Sequence, residues 1–394
     1  MAVKERWFLP EGIDEVGPAN ADYLEQLRRA LIDRLQTWGY QFVSPPMVEY
    51  LDVLLTGPAK KLELQTFKLI DEMSGRLLGI RADMTPQVAR IAAHKLRNQA
   101  EILRLCYIGS VLKTRPICQG TSRNPIQLGA EIYGHPGAES DVEIIQLMFE
   151  SLNIIGFNDQ LVLDIGHVDI FKGLVKHIDL SKQQETELFS VVQKKSTPDL
   201  IALLNQYTLS AHDRELLMAL PELHGDSTVL QQAHRLFSRA PDVVKAALAT
   251  LEEVAQLTKK RLPAVKQHFD LAELRGYDYH TGIIFSAYQA SNTQVLAMGG
   301  RYDGIGSEFG HAQPATGFSL DLKQMVTNRP TELTQSVPIR VKWCDDKRQH
   351  QVVSELRQQG KVVIYQLEET VTTPCHQLVK QNDDWVIIET GITQ

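Results

Sequence analysis

The stretch ELRGYDYHTG brings an arginine, two tyrosines, an aspartate and a histidine together on a short piece of chain. If this stretch is an extended strand, Arg275, Tyr277 and Tyr279 share one of its faces. Asp278 and His280 then share the other face. Such a set of side chains can hold a polar ligand, although tyrosines are also ordinary residues of a strand.

Three further segments place polar residues where strand ends and hairpins converge. GIRADMTPQVARI carries Asp83 and Thr85 just before a helix opened by proline, where they either meet a ligand or cap the helix. QLGAEIYG alternates Gln127, Gly129 and Glu131 on one strand face, which forms either a polar hollow or a solvated surface. The glycines of MGGRYDGIGSEFG permit close approach of the backbone to a ligand.

Apolar periodicity indicates which elements position these segments. Leucines at helical spacing from Asn20 to Trp38 predict an amphipathic helix, and YQFVSPPMVEY predicts a strand that ends at two prolines on a sheet or subunit edge. Residues 101–134 predict two strands joined by a polar loop at about 113–125. From about residue 170 to 262 the pattern is almost wholly helical, which predicts an inserted helical module.

The remaining chain predicts the second half of a mixed sheet and a small separate unit. HTGIIFSAYQ and TQVLAMGG have strand patterns, and TGFSLDLKQMV is an apolar helix candidate. After the polar segment TNRPTELTQSVP, a short βαβ pattern begins at IRVKW. We therefore expect an α+β fold, with a core over residues 1–330 and a short C-terminal α/β domain over 331–394.

Composition limits the class of protein. The length of 394 residues predicts two or three domains, and the hydrophobic fraction of 43% is enough for more than one core. The net charge of −7 argues against a nucleic-acid surface. The start MAVKERWFLPEG lacks the apolar region of a signal peptide, so we expect a soluble, cytoplasmic protein. The cysteines show no metal-binding spacing, and we expect neither metal nor cofactor; they are Cys106, Cys118, Cys344 and Cys375.

The order and separation of these segments resemble the catalytic core of histidyl-tRNA synthetases over about residues 5–330. YQFVSPPMVEY is similar to the first motif of class II synthetases, which forms their dimer interface, and LRLCYIGSVLKTRPICQGTSRNPIQLGAEIYG to the second motif, the hairpin over ATP. ELRGYDYHTG is similar to the histidine-binding motif R-G-L-D-Y-Y, and GGRYDG through ATGFSLDLKQ to the third motif. The resemblance implies a class II aminoacyl-tRNA synthetase-like antiparallel sheet flanked by helices.

Departures from the enzyme pattern concern the ATP side of the site. The enzymes have arginine where this chain has Lys113, glutamate where it has Arg115, and a second arginine where it has Gln324. In the family both arginines touch ATP phosphates, and lysine lacks the planar fork of arginine while glutamine carries no charge. Losing two such donors, at about 3 kcal/mol each, implies a roughly 10⁴-fold slower adenylation. The sequence therefore predicts a non-catalytic relative.

The residues on the histidine side of the site match the family pattern better than those on the ATP side. By resemblance, Asp83, Thr85 and Gln127 hold the ammonium group of free histidine, and Arg275 faces its carboxylate. Glu131 surrounds the imidazole together with the aromatic side chains of Tyr277, Tyr279 and His280. Asp83 stands in place of the glutamate of the family, and His280 in place of its second tyrosine.

This combination resembles the regulatory subunits of ATP phosphoribosyltransferase, whose GIRADMTPQ pattern fits residues 79–87. The resemblance implies activation of a short-form catalytic subunit in the first step of histidine biosynthesis, and feedback inhibition by histidine. It also implies a homodimer within a hetero-oligomer, with no membrane contact. Residues 331–394 are too few for the anticodon-binding domain of the enzymes, so no tRNA binding is expected.

Two alternatives remain open from the sequence. One is an enzyme, either a divergent histidyl-tRNA synthetase or another aminoacyl-adenylate-forming ligase in which Lys113 and Arg115 jointly replace the lost arginine. The other is a stand-alone histidine sensor that docks on an unrelated partner.

Overall fold

The computed structural model describes residues 8–98, 102–116, 121–158, 161–274, 276–277, 279–290, 292–327, 337–367, 375–382 and 384–390. The chain divides into two compact units, Met1–Thr331 and Glu332–Gln394. Among the described residues, no helix is both long and apolar enough to cross a bilayer. Cys106 and Cys375 are buried, whereas Cys118 lies outside the described residues.

The strands of the first unit are β1 (Gln41–Phe42), β2 (Val48–Tyr50), β3 (Phe67–Ile70), β4 (Leu77–Ile80), β5 (Leu103–Ser110), β6 (Ile126–Tyr133), β7 (Leu161–His167), β8 (His224–Gly225), β9 (Lys266–Asp270), β10 (Ile283–Gln289), β11 (Asn292–Arg301) and β12 (Ala315–Asp321). Its helices are α1 (Pro18–Thr37), α2 (Leu51–Leu54), α3 (Thr85–Arg90), α4 (Ala138–Ile155), α5 (Val168–Ile178), α6 (Lys182–Gln193), α7 (Thr197–Leu204), α8 (Ala211–Ala219), α9 (Thr228–Leu236), α10 (Asp242–Arg261) and α11 (Leu322–Thr327).

A long mixed sheet organises the first unit. Within the described residues its strand order is β1-β5-β6-β12-β11-β10-β7-β9-β8, and β2-β4-β3 form a separate small sheet. The pairs β1–β5 and β7–β9 are parallel, and the long central pairs are antiparallel. The predicted hairpin is confirmed, because β5 and β6 pair in register on either side of the polar loop. The α+β fold class is confirmed as well.

The two faces of this sheet differ in chemistry because side chains alternate along each strand. On β6, Leu128, Ala130 and Ile132 belong to the apolar core, which also contains Ile144 and Met148 of α4. Burying each such leucine or isoleucine stabilises the fold by about 1.5–3 kcal/mol. Helices therefore cover one face, and the odd-numbered residues of β6 point to the opposite face, where the site lies.

Two sequence predictions about local structure are wrong. TGFSLD forms the central strand β12 rather than a helix, because it pairs with both β6 and β11; only the residues after it form α11. The described residues of ELRGYDYHTG do not form a strand either, because β9 ends at Asp270 and β10 begins at Ile283. Between them the chain makes turns, with the Tyr279 amide donating to the carbonyl of Gly276 at 2.8 Å.

The second unit contains the strands β13 (Ile339–Lys342), β14 (Val363–Gln366), β15 (Cys375–Gln381) and β16 (Asp384–Thr390), with helix α12 (Lys347–Gln358). Its described strands lie in the order β14-β13-β15-β16. β13 and β14 are parallel and joined through α12, which confirms the predicted βαβ unit. Its small apolar core consists of Ile339, Val341, Val353, Val363 and Leu378.

Candidate binding site

A cavity of about 280 Å³ lies over the polar face of the large sheet. Its walls come from the central strands, from the start of α3, from the turns between β9 and β10, and from a short 3-10 helix, Gly57–Gln65. The structure brings together at this cavity five of the residues predicted from the sequence: Asp83, Thr85, Glu131, Tyr279 and His280.

Glu131 is the deepest charged group of the cavity, with an exposed fraction of 1%. Its Oε1 accepts a hydrogen bond from the Tyr107 hydroxyl at 2.9 Å, and the Thr85 hydroxyl lies 3.2 Å from the same oxygen. Its Oε2 is buried and has no hydrogen-bond partner among the described residues. Burial raises the pKa of Glu131 well above the usual carboxyl range, and the charge of Asp83 adds to this effect.

Asp83 is fixed by its neighbours at the edge of the cavity. Its Oδ1 accepts from the Thr85 amide at 2.9 Å and from Gln127 Nε2 at 2.8 Å. The carbonyl oxygen of the Gln127 side chain accepts from the Met84 amide at 2.9 Å. Gln127 is therefore placed behind Asp83 and orients it, while Oδ2 of Asp83 can accept from a ligand.

Glycines make the hollow around Glu131. A Cβ atom at Gly317, the cross-strand partner of Glu131, would overlap the Glu131 carboxylate. A Cβ atom at Gly129 would overlap the hydroxyl end of Tyr107, which faces it from β5. Tyr107 is a site residue that the sequence analysis missed, and its signal is this aromatic–glycine pair across the hairpin.

The residues predicted from ELRGYDYHTG point in different directions in the structure. Tyr279 and His280 reach the cavity, and the Tyr279 hydroxyl is buried without a partner among the described residues. Tyr277 turns away from it and packs between the rings of Phe171 and Phe189. The turn at Gly276, where φ is +71°, separates these directions. Arg275, predicted to face the ligand carboxylate, lies outside the described residues, as does Asp278.

Further carboxylates make the cavity acidic. Asp164 on β7 and Glu273 also line it, in addition to Asp83 and Glu131, and Lys61 is the one cation among its described lining residues. Asp164 Oδ1 is 2.8 Å from His268 Nδ1. The sequence analysis missed Asp164 and Lys61, because they come from segments far from the quoted motifs, and it assigned no role to Glu273, although that residue begins ELRGYDYHTG. An acidic wall favours a ligand that carries an ammonium group.

A second cavity, of about 670 Å³, follows on the same sheet face. Its wall includes Asp321, which pairs with Gln127 across the β6–β12 ladder just as Gly317 pairs with Glu131. Gln324, one of the three departures on the ATP side, lines this cavity. Burial raises the pKa of Asp321, and the nearby charge of Lys113 opposes that shift.

The cations of the second cavity are bonded to oxygens of the chain itself. Arg123 donates to the carbonyls of Lys113 at 3.0 Å and Glu11 at 2.8 Å. Lys323 Nζ donates to the carbonyl of Asp14 at 2.8 Å and lies 2.9 Å from its carboxylate. Arg115, the third departure, is exposed on the hairpin loop. The N-terminal segment thus ties the hairpin loop to α11.

Two family models match the chain. Residues 12–325 match the model described as histidyl-tRNA synthetase, and residues 336–388 match the one described as ATP phosphoribosyltransferase subunit HisZ C-terminal domain. An ATP phosphoribosyltransferase regulatory subunit from Nitrosococcus oceani is 48% identical over 394 residues, covering 99% of this chain and 98% of the relative. The chain belongs to the family of ATP phosphoribosyltransferase regulatory subunits.

Other members of this family and solved structures agree. The regulatory subunit from Pseudomonas aeruginosa PAO1 is 46% identical, with coverage of 93% of this chain and 92% of the relative. A crystal structure from Bacillus halodurans, titled ATP phosphoribosyltransferase regulatory subunit/histidyl-tRNA synthetase, has a TM-score of 0.81 at 26% identity and covers 95% of this chain and 96% of that one.

A histidyl-tRNA synthetase structure from Nostoc sp. PCC 7120 shares the fold, with a TM-score of 0.77 at 19% identity, covering 93% of this chain and 87% of that one. The predicted class II synthetase-like fold is therefore confirmed. The names of the curated relatives also confirm the prediction of a regulatory subunit that is not itself the enzyme.

Proposed function

We propose that this regulatory subunit binds free histidine in the first cavity and uses that binding to control a short-form catalytic subunit of ATP phosphoribosyltransferase. When histidine is absent, the regulatory subunit activates phosphoribosyl transfer by the catalytic subunit in the first step of histidine biosynthesis. Histidine reverses that activation. The complex acts in the cytoplasm. The observation that carries the proposal is the buried Glu131 carboxylate, whose Oε2 has no partner among the described residues.

The chemistry of the cavity suits the three polar parts of histidine. Asp83 and Thr85 offer oxygens to the ammonium group at the rim. Glu131 Oε2 can accept from an imidazole N–H, and the Tyr279 hydroxyl can donate to a ring nitrogen. By resemblance, Arg275 meets the carboxylate. A buried acceptor left unpaired costs about 1–3 kcal/mol, which a ligand N–H relieves.

Regulation requires more than binding. Histidine changes the activity of a partner only if it binds two states of the complex with different affinities. We propose that these are an activating state with the cavity empty and an inhibited state with histidine bound. The turns that carry Tyr279 and His280 contact both the cavity and the helical module, so a change in their position is the difference we propose between the two states.

We propose a homodimer as the unit that meets the catalytic subunit. The segment that resembles the first synthetase motif exposes Phe42, Met47 and Val48, with exposed fractions of 38%, 45% and 39%. Apolar side chains in such a row favour contact with a second copy. Light scattering at micromolar concentration should give the dimer mass for the parent and a lower mass for Met47→Glu. A parent that is monomeric contradicts this part of the proposal.

The deciding experiment mixes the purified chain with a short-form catalytic subunit and measures phosphoribosyl transfer to ATP, with and without histidine. We expect the rate to rise on mixing and to fall when histidine is added. Glu131→Gln should keep the activation and lose most of the histidine response. No rise on mixing would reject the regulatory proposal, and co-purification with an unrelated protein would favour the stand-alone sensor. The same preparation should not retain tRNA on a filter.

A further inference from the structure

The turns that carry Tyr279 and His280 are held from behind by the helical module between β7 and β9. Lys172 on α5 donates from Nζ to the backbone carbonyl of His280 at 2.6 Å. The same ammonium group lies 5.0 Å from the centre of the Tyr277 ring. One lysine of the module therefore contacts two residues of the turns, on the side away from the cavity.

A second tie comes from α6. The Tyr277 hydroxyl donates to Glu185 Oε1 at 2.6 Å, and only 7% of Tyr277 is exposed. Its ring packs 5.5 Å from Phe171 and 5.1 Å from Phe189, measured between ring centres. Phenylalanine would fill the same aromatic cluster, so the hydroxyl adds something other than packing. It fixes the turn to a carboxylate on another element by a short, directional hydrogen bond.

On the cavity side the turns are short and tightly bonded. The amides of Tyr279 and His280 both donate to the carbonyl of Gly276, at 2.8 and 2.9 Å, and the Thr281 amide donates to the carbonyl of Arg301. A Cβ atom at Gly276 would overlap the His280 ring. Because these turns are held by several hydrogen bonds, a shift of Tyr277 or of the His280 carbonyl also moves the rings of Tyr279 and His280, which face the cavity.

We propose that Tyr277, Glu185 and Lys172 are positioning residues of the ligand site. They set the orientation of Tyr279 and His280 from the helical module without touching the ligand. The proposal rests on the proposed function, because it assigns these residues a part in histidine binding. It also makes α6 an element whose displacement changes the affinity of the site.

The test compares Tyr277→Phe and Glu185→Met with Glu187→Met. Glu187 lies on the same helix and accepts from Gln183 Nε2 at 2.9 Å, so its replacement is a matched control. Amide exchange in the unliganded protein should quicken in the peptide 276–282 of both test variants, and histidine affinity should fall roughly 3- to 10-fold, the size of one ordinary hydrogen bond. The control should match the parent in both measurements.

The double variant Tyr277→Phe/Glu185→Met should lose no more affinity than either single variant, since each single variant removes the bond between the Tyr277 hydroxyl and Glu185. Unchanged exchange at 276–282 in both single variants overturns the positioning role, even if the parent binds histidine. Faster exchange across the whole protein also overturns it, because it indicates general destabilisation. If the turns respond but the parent does not bind histidine in calorimetry, the proposed function fails while the tie to the module stands.

Discussion

The two cavities on the polar face of the sheet use their charged groups in opposite ways. In the first, Glu131 and Tyr279 each present a buried polar atom that no described residue satisfies. In the second, Arg123 and Lys323 donate to oxygens of the N-terminal segment. Leaving a buried group unpaired costs stability, whereas pairing it internally removes it from ligand chemistry. One sheet face can thus leave polar atoms available to a ligand in one cavity and pair the charged groups of the neighbouring cavity within the chain.

The largest expected effect concerns adenylation. Histidine-dependent exchange of pyrophosphate into ATP should be about 10⁴-fold slower than in an authentic synthetase, because both phosphate-binding arginines are absent. The double variant Lys113→Arg/Gln324→Arg should not restore it, since Arg115 stands where the enzymes have glutamate and Arg123 and Lys323 remain bonded to the chain. An exchange rate of the parent protein within about a hundredfold of the synthetase control would contradict the claim that the second cavity no longer supports adenylation.

Next in size is the effect of Glu131→Gln on histidine affinity. Removing one charge-assisted hydrogen bond should weaken binding by about 10- to 150-fold in calorimetry. Gly317→Ala should weaken it too, because its methyl group would overlap the same carboxylate. Equal affinities for Glu131→Gln and the parent, with both proteins folded, would remove Glu131 from the site.

The pH dependence of binding sharpens the assignment. Burial raises the pKa of Glu131, so in the empty cavity its carboxyl group keeps its proton at pH values above the usual range of carboxyl pKa values. A ligand that donates to the carboxylate expels this proton, so affinity should rise with pH until the raised pKa is passed, by at most about tenfold per unit. Calorimetry in two buffers measures the proton released. The affinity of Glu131→Gln should lack the part of the pH dependence that comes from the Glu131 proton. Identical pH profiles for the parent and the variant would contradict this assignment.

The smallest effect tests the second cavity. Lys323→Met should lower the free energy of unfolding by about 1 kcal/mol in urea, since a nearly buried ammonium loses its bonds to a half-exposed aspartate. Lys68→Met, which breaks an exposed pair with Glu63, is the control and should change it less. Histidine affinity should stay constant in both. A loss of affinity in Lys323→Met would show that the cavities are not independent.

Acid should weaken the same anchor. Burial alone would raise the pKa of Asp14, but its hydrogen bond from Ser122 and its ion pair with Lys323 outweigh this, and the pKa is lowered. A carboxyl group whose pKa is lowered on folding stabilises the folded protein at pH values above its pKa in the unfolded chain. That contribution disappears as the pH falls through its pKa in the folded protein. The stability difference between parent and Lys323→Met should therefore narrow at low pH.

Local patterns predicted the hairpin and the residues that lie near one another along it. Strand alternation placed Gln127, Gly129 and Glu131 on one face, and the resemblance to the synthetases assigned Glu131 to the ligand. TGFSLD was misread because its short alternation, with Phe318 and Leu320 facing the core, runs without a break into the helical residues after Asp321 and was taken as part of that helix. The partnership of Tyr107 with Glu131 depends on cross-strand register, and the contribution of Asp164 depends on the order of the strands in the sheet. Neither property is visible in a short window of sequence.

Arg301, the last residue of β11, has a consequence for mutational scanning. Its guanidinium is buried and bonded to the Asp141 carboxylate, to the Ser140 hydroxyl and to the carbonyls of His135 and Gly137. Breaking a buried ion pair of this kind costs about 3–5 kcal/mol. An alanine scan read only through loss of ligand binding would rank Arg301 among the strongest hits, although it lines neither cavity. Screens of this family therefore need a folding measurement beside every binding measurement.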